Sequence, residues 1–236
     1  MKRLARSIRK KYRYFVDAKT VTIDGVTLIS DRDRIPLYLR DLMYREVYED
    51  TERNILLKIL KRGHKVVELG TGLGFISLLA ARICGSENVN TYEANPAIES
   101  LIRENFRLNN IEPQLHMRAV TRDGRKLSFN AADNIISSSS FERGVSGRTL
   151  DVDSEAFSEV LRAHSPDVLI MDVEGGEYEL LMSDNLGPIE HILVELHPHI
   201  IGREKVNEIR SHLGAKGFAV ESNDRKTFHF HKIRPT

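Results

Sequence analysis

The run Val66-Val67-Glu68-Leu69-Gly70-Thr71-Gly72-Leu73-Gly74-Phe75 constrains this chain more than any other stretch. Val66, Val67 and Leu69 make a short apolar run of the kind buried in a parallel sheet. The alternating glycines that follow let the backbone pass close to a ligand, where any Cβ would collide. From Phe75 onward, Ile76, Leu79, Ala80 and Ile83 share one helical face. A strand, a glycine turn and a helix form the first half of a doubly wound α/β unit, whose ligand crevice lies beyond the carboxyl end of the strand.

The placing of the glycines discriminates among nucleotide cofactors. A dinucleotide fingerprint has its third small residue three positions after the second glycine, so that the helix packs closely beneath a pyrophosphate. Phe75 occupies that position, and the glycine falls at Gly74 instead. Glu68, two places ahead of Gly70, would repel a pyrophosphate but suits a cationic amino-acid tail, held directly or through water. These features favour S-adenosylmethionine over NAD, although glycine turns also occur as plain strand-to-helix connections. A second strand, Val89-Asn90-Thr91-Tyr92-Glu93, ends in a carboxylate about 25 residues after Glu68, near the spacing of a ribose-binding acid. Glu93 is expected to accept from both ribose hydroxyls. Ala94-Asn95-Pro96 then opens a helix, with Asn95 as its cap and proline at its first position. A third strand over residues 114–120 is expected to bring Ala119 and Val120 to the adenine, which backbone groups would recognise. The predicted cofactor site is therefore Glu68, Gly70, Thr71, Gly72, Gly74, Phe75, Glu93, Ala94, Asn95, Ala119 and Val120.

A second constellation follows the strand Asp167-Val168-Leu169-Ile170-Met171-Asp172, where Glu174, Gly175, Gly176 and Glu177 come next. Carboxylates crowded at the end of a buried strand repel one another in a low dielectric and need either a purpose or good solvation. Asp172 is expected to face the crevice, with Glu174 beside it. Glu177 falls in the first turn of the next helix, where the dipole accounts for an acid. A further strand over residues 189–196 brings Glu195, His197 and His199 to the same edge, which makes His197 a candidate base. The candidate catalytic residues are Asp172, Glu174 and His197. Oxygen ligands suit magnesium, so a divalent cation stays open as an aid, but two acids do not establish a metal site and no metal ligand is assigned.

The 236 residues suffice for one sizeable α/β domain, expected over residues 48–236, with residues 1–47 as an N-terminal elaboration. The formal net charge of +1 gives the whole molecule no strong field toward nucleic acid or membrane. Cys84, the lone cysteine, excludes an intramolecular disulfide and reads as a small core residue. With no apolar run of about 18 residues and no signal core, the expectation is a soluble cytoplasmic protein. The opening Lys2, Arg3, Arg6, Arg9, Lys10, Lys11 and Arg13 can make weak peripheral contact with anionic lipid, nucleic acid or an acidic partner, or form a solvated, frayed helix. Asp24-Gly25 sits at the centre of a hairpin pattern, and helices are expected over residues 36–45 and 49–60. Residues 122–152 are the least regular part, with a short strand at Leu127-Ser128-Phe129 and a Ser-Gly loop over residues 137–147 that is either a lid or a surface insertion. A helix is expected over residues 154–163. The end of the chain reads as a helix followed by an antiparallel edge hairpin.

Taken together these motifs resemble the FkbM-type methyltransferases. The resemblance runs from Tyr48-Glu49 to Glu195-Leu196-His197. It takes in the glycine turn, Tyr92-Glu93-Ala94-Asn95-Pro96, the Asn105 and Asn109 pair and Thr149-Leu150-Asp151. Its most specific part is Asp172-Val173-Glu174-Gly175-Gly176-Glu177. It implies a class I S-adenosylmethionine-dependent fold, a Rossmann-like and mostly parallel doubly wound sheet with an antiparallel C-terminal edge strand. It also implies methylation of a hydroxyl on a sugar, lipid-linked glycan or secondary metabolite. The chain departs from the family at Glu68-Leu69-Gly70-Thr71-Gly72, where Asp-x-Gly-Ala-Asn is usual, and at Ile170, where a lysine often stands. The first change keeps the acid and the glycines; the second removes a cation from the substrate side.

Methyl transfer to oxygen is an in-line displacement, so the protein mainly aligns the nucleophile and helps remove its proton. Asp172 is expected to do this, with Glu174 or His197 assisting. An Asn/Asp-Pro-Pro-aromatic motif for nucleobase amines is missing, and Cys84 is not placed for cytosine C5 chemistry. The acceptor is accordingly expected to be a small molecule or glycan rather than nucleic acid. Two other classes remain: an NAD-linked oxidoreductase, which Phe75 opposes, and a non-catalytic S-adenosylmethionine-binding scaffold that reaches a partner through its basic start. Oligomeric state has no sequence signal.

Overall fold

A computed structural model of the chain describes residues 2–130 and 149–233. The basic start folds as helix α1 (Lys2–Phe15) and is followed by the hairpin β1 (Thr20–Ile23) and β2 (Val26–Ile29). Asp24 and Gly25 both take positive φ, 47° and 82°, the conformation that an Asp-Gly hairpin turn requires. Helices α2 (Leu37–Tyr44) and α3 (Asp50–Ile59) lead into β3 (Val66–Leu69), α4 (Phe75–Cys84), β4 (Val89–Tyr92), α5 (Glu99–Asn109) and β5 (Gln114–His116). Next come β6 (Ala119–Thr121), β7 (Leu127–Asn130), β8 (Thr149–Val152), β9 (Ser154–Ala156) and α6 (Phe157–His164). The chain closes with β10 (Val168–Met171), α7 (Glu177–Leu181), β11 (His191–Glu195), α8 (Pro198–Ile201), α9 (Arg203–Ala215), β12 (Phe218–Asp224) and β13 (Thr227–Lys232).

The central sheet has the order β12-β13-β11-β10-β3-β4-β5. Its strands run parallel except β13, which pairs antiparallel with both neighbours, so the outermost strand of the expected edge hairpin is β12. Alternation along the strands builds two cores. Val66, Val168, Ile170 and Leu193 face a layer that holds the hairpin and α2 to α5, whereas Val67, Leu69, Leu169, Met171 and Val194 face α6, α7 and α9. Hairpin residues Val21, Ile23, Val26 and Leu28 belong to the first of these cores, so the N-terminal elaboration shares it with the sheet.

The expected third strand over residues 114–120 divides in two. Arg118 N–H donates to the His116 carbonyl at 2.9 Å, a tight reversal that sends β6 away from the sheet to pair with β9. Because Ser154–Ala156 is used in that pairing, α6 starts at Phe157 instead of at residue 154. The Ser-Gly loop over residues 137–147 lies outside the described residues. Two bases of α1 are ion-paired with residues of the following helical region: Arg9 grips Glu46 through two contacts of 2.7 Å, and Lys10 meets Asp41 at 2.7 Å. No helix among the described residues is long and apolar enough to cross a membrane.

Two contacts hold the glycine turn in place. At Gly70, φ is +94° and a Cβ would overlap the Asp172 carbonyl oxygen. Asn105, fully buried in α5, accepts from Ile29 N–H at 2.8 Å and donates to the Leu73 carbonyl at 2.9 Å, which ties the hairpin to the turn. Gly70→Ala is therefore expected to destabilise by on the order of 3 kcal/mol, combining overpacking with backbone strain. Gly63→Ala, at positive φ but with open space around it, should cost about 1 kcal/mol. Asn105→Ala strands a buried donor and a buried acceptor and should cost roughly 3 kcal/mol. Urea midpoints of the three variants check the ranking; equal loss at Gly70 and Gly63 would contradict the overlap.

Candidate active site

β3 and β10 are neighbours from which the chain winds in opposite directions, to β4 and β5 on one side and to β11 on the other. Their carboxyl ends splay apart at such a switch point and leave a crevice. A cavity of about 1040 Å³ lies there. Of the predicted cofactor residues, Glu68, Gly70, Gly72, Glu93, Ala94, Asn95, Ala119 and Val120 line it, and so do Asp172 and Glu174. Thr71, Gly74, Phe75 and His197 do not. Thr71 is buried with its hydroxyl on Thr91, and Phe75 packs against Tyr48 with ring centroids 5.8 Å apart. Gly74 starts α4 at φ +78°, where a Cβ would press on the Phe106 ring at 2.7 Å. The three glycines thus divide their work, two against the protein and Gly72 toward the cavity, where the nearest atom to a Cβ would be the Tyr48 hydroxyl at 3.9 Å.

Glu93 organises both turns on its side. Its Oε2 accepts from Gly72 N–H at 3.0 Å and its Oε1 from Asn95 N–H at 2.8 Å. A carboxylate has about four lone-pair sites; these two bonds use two of them, and the Ala94 and Thr71 amides also act on the group. Burial raises the Glu93 carboxyl above its ordinary range, against those backbone bonds. The Asn95 side chain accepts from Ala97 N–H at 3.0 Å, the cap that its place before Pro96 predicts. Glu68 is tied differently: its Oε2 accepts from the Ser77 and Thr91 hydroxyls, joining α4 and β4 to β3. Burial pushes the Glu68 carboxyl up to about 7, against these two bonds and helped by the charges of Glu93 and Asp172.

The other side of the cavity is crowded with acids. Asp172 keeps about half of its side chain open to the cavity. Partial loss of solvent, then the charges of Glu195 and Glu174, push its carboxyl up to about 7, against the pull of His197 and Lys226. Glu49 and Glu52 also reach the cavity, and burial raises both carboxyls, Glu49 well above its ordinary range. Lys226, in the turn between β12 and β13, is ion-paired with Glu195.

His197 lies beneath this surface, 1% exposed. Its Nδ1 is 2.6 Å from Glu177, and its Nε2 is 3.2 Å from Glu195 and 3.7 Å from both Asp172 and Glu174. Burial alone would lower its pKa. The bonds to Glu177 and Glu195 and the charges of Asp172 and Glu174 outweigh burial and raise it to about 10. A ring that keeps its proton through neutrality is a cation, and this one does not touch the cavity. Asp172, Glu195 and His197 lie close enough together to hold a metal ion, and Lys226 reaches the same cluster through its ion pair with Glu195.

Sequence reasoning missed Glu49, Glu177 and Lys226. Glu49 caps α3 in a left-handed conformation, φ 47°, which nothing in its sequence neighbourhood signals beyond the Tyr48-Glu49 pair. Glu177 is completely buried rather than a solvated first-turn acid. Lys226 reaches the site from a hairpin turn distant in sequence and carries no local pattern.

The architecture is similar to solved methyltransferases. It matches a methyltransferase from Pyrococcus furiosus over 98% of each chain, at 16% identity and a TM-score of 0.51. It matches a putative rRNA-methylase from Clostridium thermocellum over 80% of this chain and 97% of that one, at 12% identity and a TM-score of 0.50. At such identities the likeness shows the class I methyltransferase fold alone. The sequence profile described as "Methyltransferase FkbM domain" matches residues 69–220, from the end of β3 to β12, and so spans the glycine turn, Glu93 and the Asp172 to Glu177 run. The chain belongs to the FkbM methyltransferase family.

Proposed function

We propose that this methyltransferase uses S-adenosylmethionine to methylate a hydroxyl oxygen on a small molecule or glycan, with Asp172 receiving the hydroxyl proton. The observation that carries the reading is Asp172 itself, a carboxylate facing the cavity with its pKa raised to about 7. Such a group is ionised often enough at neutral pH to take a proton and basic enough to want one. Glu93 stands two strands away across β3, about 10 Å at the usual strand spacing, so a ribose at Glu93 and an acceptor at Asp172 occupy different ends of one cavity.

The residues suit the cofactor. Gly72 leaves open space on the cavity wall, and Glu93, which lines the cavity, would accept from ribose hydroxyls. Ala94, Asn95, Ala119 and Val120 all line the cavity and would serve as an adenine edge, and Glu68 with Glu49 would provide acids for a cationic tail. When bound, S-adenosylmethionine supplies the methyl group and its own leaving group. The protein then holds the acceptor oxygen near Asp172, excludes water and accepts the proton at a carboxylate oxygen. Glu174 shares the task of orienting the acceptor. The cavity lining holds Glu49, Glu52, Glu174, Glu195 and Asp224 among other acids, against Arg118, Arg125, Arg225 and Lys226. A phosphate backbone would meet this acidic wall unfavourably, which supports a neutral polyhydroxyl acceptor over RNA.

Titration calorimetry with S-adenosylmethionine or its demethylated product should give saturable heat; no heat overturns the cofactor site. Asp172→Asn should leave that affinity within about twofold and lower kcat by roughly 10²–10⁴; unchanged turnover rejects the assignment. In the native enzyme only the ionised carboxylate accepts the proton, so kcat should rise with pH to a plateau through a midpoint near 7. A flat profile between about pH 5.5 and 8.5 contradicts a base of that pKa. Label transfer from the cofactor to RNA would overturn the acceptor class.

A further inference from the structure

Four carboxylates surround one imidazole: Glu177 from α7, Asp172 and Glu174 from the turn after β10, and Glu195 from the end of β11. Two other groups face the ring. Lys226 Nζ stands 3.5 Å from Nε2, and the His199 ring of α8 lies edge-on at 5.6 Å. Of the four carboxylates, Glu177 is the one that the methyl-transfer reading leaves without a task. It is 0% exposed, and its Oε2 is buried with no hydrogen-bond partner. The helix it opens has five residues, too short a dipole to account for burying a charge there. A buried ion pair with one oxygen unpaired is poor value for stability as well.

What the pair does achieve is geometric. Glu177 holds Nδ1 at 2.6 Å, and Nε2 faces the oxygens of Glu195, Asp172 and Glu174, so a proton on each ring nitrogen has a carboxylate to bond. Three carboxylates around one small region repel each other unless a cation sits among them. Lys226 is a removable cation, half exposed on a hairpin turn, whereas His197 is sealed in the protein. We propose that Glu177 is a positioning residue, which clamps His197 by Nδ1 and so makes its Nε2–H the fixed counter-charge for Asp172, Glu174 and Glu195. This rests on the reading of Asp172 as the base, because the clamp's role is to keep Asp172 ionisable in working conditions. Neither Glu177 nor His197 lines the cavity, so both act through Asp172.

Glu177→Gln keeps the side-chain shape and removes the charge. The low-pH limb of kcat should then move upward by about 1 pH unit or more, since an opposite charge at this range shifts a carboxyl by that order, while cofactor affinity stays as in the native enzyme. Glu177→Asp should restore the limb at least in part. His197→Gln should move it in the same direction, and the double variant should add nothing further. A limb at the native midpoint in Glu177→Gln overturns the proposal. Should that variant fail to fold, the native protein labelled with ¹⁵N-histidine decides: the His197 ring should show the imidazolium form at pH 8, and a neutral ring at pH 7 overturns the clamp. A limb that persists in Asp172→Asn counts against Asp172 as the base, whereas the ring signal tests the Glu177 clamp independently of it.

Discussion

The structure depends on how closely β3 and β10 approach at their carboxyl ends. Asp172 N–H donates to the Leu69 carbonyl at 2.9 Å, and the Asp172 carbonyl fills the place that a side chain at Gly70 would take. Because Gly70 N–H also donates to the Tyr92 carbonyl at 2.9 Å, three adjacent strands end in register around one glycine. From there the chain can only turn away from the sheet, and the turn residues have to line whatever lies beyond it. The cavity is thus a consequence of strand packing, and its two chemically distinct sides are the ends of β4 and β10.

The charge distribution follows from this geometry. Three of the parallel strands deliver an acid at the carboxyl end or just past it: Glu93 after β4, Asp172 after β10 and Glu195 at the end of β11. Strands about 5 Å apart bring such acids within a few spacings of one another, where repulsion is strong in a poorly solvated crevice. The protein offsets it in two ways. At the end of β4 Glu93 is held by backbone N–H donors from its own turn and from the glycine turn. Around Asp172 and Glu195 the offset comes instead from His197 and Lys226. That asymmetry explains why Glu93 works as a fixed hydrogen-bond acceptor while Asp172 sits nearer to gaining a proton.

Much of this was legible in residues 66–75 and 89–96, where short-range rules govern. The strand, the glycine turn and the Asn95 cap depend on neighbours within a few positions, and the structure has them as read. The glycines were legible as a group but not singly: Gly70 and Gly74 answer to Asp172 and Phe106, which are far away in sequence. The third strand was read too long because no glycine or proline between Gln114 and Val120 marks a break, whereas a single reversed hydrogen bond at His116 ends it. Asn105 and Asn109 stood out only through the family resemblance. Their work is to pair the backbone of β2 and the glycine turn, a contact between distant segments that no local pattern encodes. The same holds for Glu177, whose place in a helix's first turn concealed a buried partner twenty residues on.

Asp172 is tied to both architecture and chemistry, yet through different atoms. Its backbone amide and carbonyl close the gap between β3 and β10, whereas its carboxylate is half exposed in the cavity. Changing the side chain to an amide of the same size leaves the strand contact untouched, so a loss of turnover from that change reports on the carboxylate. Gly70 is the reverse case, since any added atom there acts on the Asp172 backbone first and on the cavity second. The closing of the sheet and the placing of the proposed base therefore share one residue pair, which is why a glycine with no side chain governs where the acid can stand.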